Sequence, residues 1–387
     1  MKTSQDNMNW IKSTCLLWLG FLLGACDPMS YREYRMEPYT GTFTWEEVTG
    51  KADWSNRQDH AAVAFDGKMW VFGGYDPGRL SGDSYLEDVW HSADGKEWTL
   101  VTEDAPWKGR RGHTVTLFDD GSGEALYLVG GFEVDGETGY RQYTNDVWRS
   151  RDGEAWERIK ERTYYPDHMD TDFMPRFNHV CVAANHGGVN YLYLIGGATM
   201  LEDSTGFYAF RYFQDVWRSG NGTDWIRLDN DAFGGRSGHA AFTDPVTGRI
   251  YMHGGNHGSD FVNEEAPGQT GEEFYSVWYT DDGISWTADE TFSLERAGHG
   301  FIQYDEALWL FPGKENDYLQ LRFAEDGLYY TYTRPAGGGW TLDSEGSAFS
   351  ARHSYATLIF DGRVWVMGGE TADNGPDNDV WSGTIHP

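Results

Sequence analysis

Cysteine is nearly missing from this chain: its 387 residues carry three, Cys15, Cys26 and Cys181. Two fall within the first 26 residues, so the body of the chain holds Cys181 alone and cannot be stapled by an internal disulfide. Basic residues are also scarce, 30 against 61 acidic, giving a net charge of −31. That balance excludes a surface built for nucleic acid or for anionic lipid. The most apolar run, Leu16 to Ala25, is too short to span a bilayer as a helix. No acidic loop has the spacing of a dedicated calcium site, and no cofactor is expected. A large core must then supply the stability, and 18 Trp, 23 Tyr and 21 Phe provide the material for one.

What the chain has in abundance is repetition. Arginines at 57, 111, 176, 236, 296 and 352 each lead into a short apolar strand. A glycine pair then closes the next strand, as in VFGG, YLVGG, YLIGG, MHGG and VMGG. A variable stretch follows and ends in DVW at 88–90, 146–148, 215–217 and 379–381, or in Ser276-Val277-Trp278. Histidines at 60, 113, 179, 239 and 299 recur at intervals of 53, 66, 60 and 60 residues, a period that suits a four-stranded sheet per unit. Asp-Gly pairs at 66–67, 94–95, 152–153 and 282–283 predict tight hairpin turns between alternating strands. Such sheets cannot bury both faces alone, but stacked radially they can.

The RxGH, GG and DVW signatures resemble kelch repeats over residues 42–387, the central-domain type found in galactose oxidase. The expected fold class is all-β, a six-bladed kelch-type β-propeller. The C terminus ends in the third strand of the last blade, and Thr42–Val48 reads as the missing fourth. The N-terminal strand is therefore expected to complete the last blade and remove the open edge. The fifth unit departs from the pattern: Phe311-Pro312-Gly313 replaces the glycine pair, no DVW appears, and the third strand is expected near Leu328–Thr333.

Residues 1–25 read as a signal peptide, with Lys2 and Lys12 before the apolar run. Leu23-Gly24-Ala25-Cys26 resembles the bacterial lipobox, which implies that Cys26 carries the lipid and that 26–41 is a polar tether. Localisation is then the bacterial cell envelope, periplasmic or at the cell surface. The acylated N terminus would sit in the lipid bilayer on a propeller expected to be monomeric.

In a propeller of this kind the long second-to-third and blade-to-blade loops share one face, and function concentrates there. The resemblance implies that Arg57, Arg111, Arg176, Arg236, Arg296 and Arg352 ring the channel mouth. The residues after the glycine pairs, Tyr75, Phe132, Ala198, Asn256, Lys314 and Glu370, would line the funnel with them. Guanidinium groups there favour a planar anion such as a carboxylate; the alternative is that they pair with Asp88, Asp146, Asp215 and Asp379 inside the blades. One histidine per blade radiates about the axis, which suits packing better than a metal site. SxDGxxW at Ser92–Trp98 and Ser150–Trp156 resembles the Asp boxes of sialidases but lacks one residue, and reads as hairpin chemistry. The galactose oxidase radical site needs a cysteine crosslinked to tyrosine, and Cys181 lies mid-strand.

Two aromatic loops stand out: Tyr164–Phe173, containing Tyr165 and His168, and Phe207–Phe213. Aromatic rings in loops stack on sugars or anchor a protein, and His168 beside Asp167 and Asp170 is a candidate acid or base. The leading reading is a propeller that binds a glycan or an envelope protein at its loop-rich face, with nucleic acid excluded. An enzyme on acidic sugars, similar to the kelch-type sialic acid mutarotases or to a polysaccharide lyase, is the alternative. A structural assembly part is the third.

Overall fold

Short β-branched and aromatic runs separated by Asp-Gly turns fold in the computed structural model as antiparallel hairpins. Contacts divide the chain into Met1–Glu37 and Pro38–Pro387. The structure describes residues 42–386 except 80–83, 135–140, 164–170, 203–205, 207, 229–231, 257–275, 290–295, 306, 318–319, 324–329, 336–340, 346–347 and 373–374. The signal peptide, Cys26, Tyr165 and His168 lie outside those residues.

The described chain is all β, with no helix. Strand β1 (Thr42–Thr49) precedes a sheet of β2 (Ala61–Phe65), β3 (Lys68–Tyr75), β4 (Tyr85–Ser92) and β5 (Thr99–Thr102). The next comprises β6 (Arg110–Arg111), β7 (Thr114–Asp119), β8 (Glu124–Val134), β9 (Arg141–Ser150) and β10 (Glu157–Lys160). The third pairs β11 (Val180–His186) and β12 (Val189–Ile195) with β15 (Val216–Ser219) and β16 (Ile226–Leu228), with the hairpin β13 (Ala198–Glu202) and β14 (Tyr208–Tyr212) inserted. The fourth holds β17 (Ala240–Thr243), β18 (Ile250–His253), β19 (Val277–Thr280) and β20 (Thr287–Asp289).

Then come β21 (Phe301–Tyr304), β22 (Ala307–Leu310), β25 (Tyr330–Pro335) and β26 (Thr341–Glu345), with the hairpin β23 (Lys314–Asp317) and β24 (Gln320–Phe323) between. Strand β25 falls on the stretch that the sequence predicts for the third strand, of which Leu328 lies outside the described residues. The last sheet combines β27 (Arg352–His353), β28 (Ala356–Phe360), β29 (Arg363–Thr371), β30 (Gly375–His386) and β1. In it β1 runs antiparallel to β30, with Thr42 opposite His386.

The core lies between sheets. Trp70, Phe72 and Val89 of the first pack on Val115, Leu126 and Leu128 of the second. Met69 and Val71, on the opposite face of β3, pack on Trp365, Met367 and Val380 of the last. Period-two alternation thus sends successive β3 side chains to different neighbours, which a propeller requires. The turn glycines of the SxDGxxW strings fit this packing. A Cβ on Gly153 would stand 2.5 Å from the Trp70 ring of the preceding sheet, so these turns are inter-sheet contacts.

Candidate functional site

The repeat is best read as Arg-x-x-His, and each of its four positions does a different job. The first is buried. Arg57 donates to both oxygens of Asp88 at 2.9 and 2.8 Å and to the Gly73 carbonyl at 2.8 Å. Arg176 and Arg352 hold Asp215 and Asp379 in the same way. The indole N–H of Trp90, Trp148, Trp217 or Trp381 donates to the same aspartate, so DVW supplies both the anion and its second donor. Burial pushes Asp88 up, but the Arg57 guanidinium outweighs it and holds the carboxyl below its usual range.

In the second sheet the buried position belongs to Arg110, not to Arg111. Arg110 donates to Asp146 at 2.9 and 3.2 Å and to the Gly130 carbonyl at 3.0 Å. It also donates to Glu133 at 2.9 Å. The spacing to histidine carries the signal: Arg110 is three residues before His113, as Arg57 is before His60. Arg57, Arg110, Arg176, Arg236, Arg296 and Arg352 are all at most 2% exposed. Of the arginines expected at the channel mouth, Arg111 lines it; Arg57, Arg176, Arg236, Arg296 and Arg352 point into their own sheets. Arg236 and Arg296 donate to the carbonyls of Gly254 and Phe311.

The second position bridges to the residue after the glycine pair, Gln58 to Tyr75, Arg111 to Phe132, Phe177 to Ala198, Ser237 to Asn256, Ala297 to Lys314 and His353 to Glu370. The third position, Asp59, Gly112, Asn178, Gly238, Gly298 or Ser354, has φ between 51° and 65°. This left-handed turn aims each backbone N–H at the neighbouring sheet. The Gly112 N–H reaches the Asp59 carbonyl at 2.9 Å, Asn178 reaches Gly112, Gly238 reaches Asn178, and Gly298 reaches Gly238. Ser354 then reaches Gly298 and Asp59 reaches Ser354, so these hydrogen bonds close into a ring about the axis.

The histidines form the layer beneath. A Cβ on Gly74 would stand 2.8 Å from the Cβ of His60, and one on Gly73 would stand 3.1 Å from the His113 ring. The glycine pair therefore makes room for two histidines, one from its own sheet and one from the next. Burial, then the adjacent arginine, holds His60 and His179 down to about 3. His113, His239 and His299 are likewise well below their ordinary value, chiefly from burial. The layer is neutral at pH 7. Among the described residues no group of three or more His, Cys, Asp and Glu side chains is placed to hold a metal ion.

Above the hydrogen-bonded ring opens a bowl of about 470 Å³ lined by the second, third and fourth repeat positions and by Asn256, Lys314 and Glu370. Among the described residues two cations face it, Arg111 and Lys314. Arg111 sits 4.9 Å from the Tyr75 ring centroid, 5.9 Å from Tyr85 and 6.0 Å from Phe132, and 3.7 Å from Asp59. Tyr75 and Phe132 thus reach the bowl through Arg111 and do not line it. Burial pulls the Lys314 ammonium down against the opposing pull of Glu370. On the same wall, His353 Nε2 lies 3.4 Å from Glu370 and Nδ1 lies 3.1 Å from Ser354 Oγ. The bowl therefore offers two cationic groups, a carboxylate beside a neutral imidazole, and backbone and amide groups for hydroxyls.

Residues 56–91 match the Kelch motif, the span from before Arg57 to β4. A solved structure described as "Structure of YjhT" is 16% identical, covers 88% of this chain and 100% of its own, and superposes with a TM-score of 0.59. That likeness is one of fold. No curated protein matches the chain. The all-β sheets and the structural likeness together give the chain a β-propeller fold, with a Kelch motif matched in its first sheet.

Proposed function

We propose that the propeller has six blades, closed by β1 completing the last sheet, and binds an acidic sugar in the bowl above its axis. The β1–β30 pairing and the closed ring of backbone hydrogen bonds support the first part. The observation that carries the second is the pairing of Arg110 with Asp146. It leaves the adjacent guanidinium of Arg111 at the rim, half-buried and backed by aromatic rings, where an incoming carboxylate meets a cation of reduced hydration. Lys314 gives a second cation for a charged or hydroxyl group, and Asn256, Ser237 and Gln58 suit sugar hydroxyls. A glycan array probed with the purified protein tests the reading. Acidic glycans should bind wild type, and Arg111→Gln should lose them; retention of every acidic glycan by the variant rejects it.

A second reading rests on Glu370 beside His353. A carboxylate and a neutral imidazole on the wall of a bowl that holds an acidic sugar suit proton transfer at the anomeric centre, the chemistry of a mutarotase. Saturation-transfer NMR of anomer exchange checks it. Acceleration by wild type and none by Glu370→Gln is expected, and equal rates contradict it.

We also propose that Cys26 is acylated and anchors the propeller to the bacterial envelope as a monomer, supported by the Leu23–Cys26 sequence. Mass spectrometry of the mature N terminus tests this. A free thiol at Cys26 would overturn it.

A further inference from the structure

The rim of the bowl is divided chemically. After the glycine pairs, the fourth to last units present Asn256, Lys314 and Glu370. On the other half, aromatic side chains touch in series: Tyr75 with Tyr85 at 4.9 Å between ring centroids, Tyr85 with Phe132 at 5.6 Å, and Phe132 with Tyr143 at 4.9 Å. The series continues from Tyr143 to Phe177 at 5.3 Å and from Phe177 to Phe210 at 6.2 Å. Phe177 lines the bowl, and Phe210 lies on the β13–β14 hairpin, so the arc leads outward from the site. All six rings are partly exposed. Packing that every sheet required would repeat in every sheet, and this does not.

Cations accompany the arc in a chain whose net charge is −31. Arg111 stands over its inner rings and Arg141 is exposed within electrostatic reach of Tyr85, whereas Arg211 stands over Phe213 on the other face of β14. Asp59 at the inner end is engaged by Arg111, and Glu202 at the outer end accepts from the Tyr208 hydroxyl. Tilted aromatic faces with interleaved guanidinium groups match a chain of pyranose rings carrying carboxylates: the rings stack on the aromatic faces and each carboxylate meets an arginine fork.

Building on the acidic-sugar reading of the bowl, we infer that the arc is a row of subsites for a linear acidic oligosaccharide. One residue of that chain sits at Arg111 and the rest lies outward over Tyr143, Phe177 and Phe210. The ligand is thus a polymer segment and not a lone monosaccharide.

Calorimetric titration of the full-length protein with oligogalacturonates, and in parallel with α2,8-linked oligosialates, tests this, each series running from the monomer upward. With the matching series affinity should rise by about tenfold or more from monomer to tetramer. Phe210→Ala and Arg141→Gln should flatten that rise while monomer affinity and thermal midpoint stay at wild-type values. Binding of a monomer with no gain on lengthening, or a gain that both variants preserve, overturns the inference and leaves the bowl reading intact. Failure of both series to bind, or binding indifferent to Arg111→Gln, rejects the bowl reading and the arc with it.

Discussion

The Tyr355 hydroxyl donates to the Pro312 carbonyl at 2.5 Å and accepts from the Gly300 N–H at 2.9 Å. Both residues are departures from the repeat, Pro312 in place of a glycine and Tyr355 in place of a histidine, and they are partners. Elsewhere the first glycine of a pair lies against the histidine of the next sheet, as Gly130 does with His179. Tyr355→Phe should cost about 1–3 kcal/mol, because it leaves a buried N–H and a buried carbonyl without this partner. Pro312→Gly combined with Tyr355→His restores the repeat and should cost less than the two single changes added together. Urea denaturation of wild type, Tyr355→Phe, the two single changes and the double variant checks both statements.

Arg110 and Arg111 are adjacent and should behave oppositely. Arg110→Ala strips a buried guanidinium from Asp146 and Glu133 and should destabilise by about 3–5 kcal/mol. Arg111→Ala removes a half-exposed cation and should change stability by about 1 kcal/mol or less while abolishing capture of acidic sugars. Equal destabilisation by the two substitutions would contradict the assignment.

The buried histidines set an acid limit on stability. Their folded values lie below the ordinary value of about 6.5, so from there down to about 3 the unfolded chain takes up protons that the folded chain refuses. Stability is therefore complete above about pH 6.5 and is lost as pH falls through that window. The paired carboxylates Asp88, Asp146 and Asp215, held below their usual range, add to the loss only in stronger acid. A urea midpoint that stays constant from about pH 7.5 to about pH 5 would contradict this account.

The glycine pairs are predicted to be intolerant of any side chain. Gly131 has φ of 112°, and a Cβ there would stand 2.9 Å from the Cβ of His113. Gly131→Ala should cost about 1–3 kcal/mol or more from backbone strain and the clash together. Thermal unfolding measures it. An alanine at exposed Gly121, where no atom lies within 4 Å of a Cβ, isolates the strain at φ of 93° from the contact.

The architecture was legible because it repeats: each sheet states its strands, turns and closing residues again, and agreement among copies averages out local ambiguity. The site was less legible for the same reason. Arg110 and Arg111 stand side by side before Gly112 and His113, and the constant three-residue spacing to histidine is what picks out Arg110. From Trp98 to Arg110 is then 12 residues, matching Trp45 to Arg57. The second repeat position, which supplies Phe177 and His353 to the bowl, varies from unit to unit and so leaves no pattern to notice. The left-handed third position varies too, but it does so among Asp, Gly, Asn and Ser, residues that suit a turn. Asn256, Lys314 and Glu370, which line the bowl, are legible because the position after the glycine pair is marked by the repeat. Arg111 and Lys314, the cations on the wall, both stand among the residues that the sequence places at the funnel, but nothing in the repeat separates Arg111 from the arginines buried in every sheet.

Arg111, left at the rim by the Arg110–Asp146 pair, is proposed to hold the carboxylate of an acidic sugar. Isothermal titration of galacturonate and of N-acetylneuraminate into wild type and Arg111→Gln, with the neutral sugar galactose as control, tests it most directly. Wild type should bind at least one acid over galactose, and the variant should lose about 1.5–3 kcal/mol of that affinity, the contribution of a charged hydrogen bond. Equal affinity of wild type and variant for the acid would contradict it.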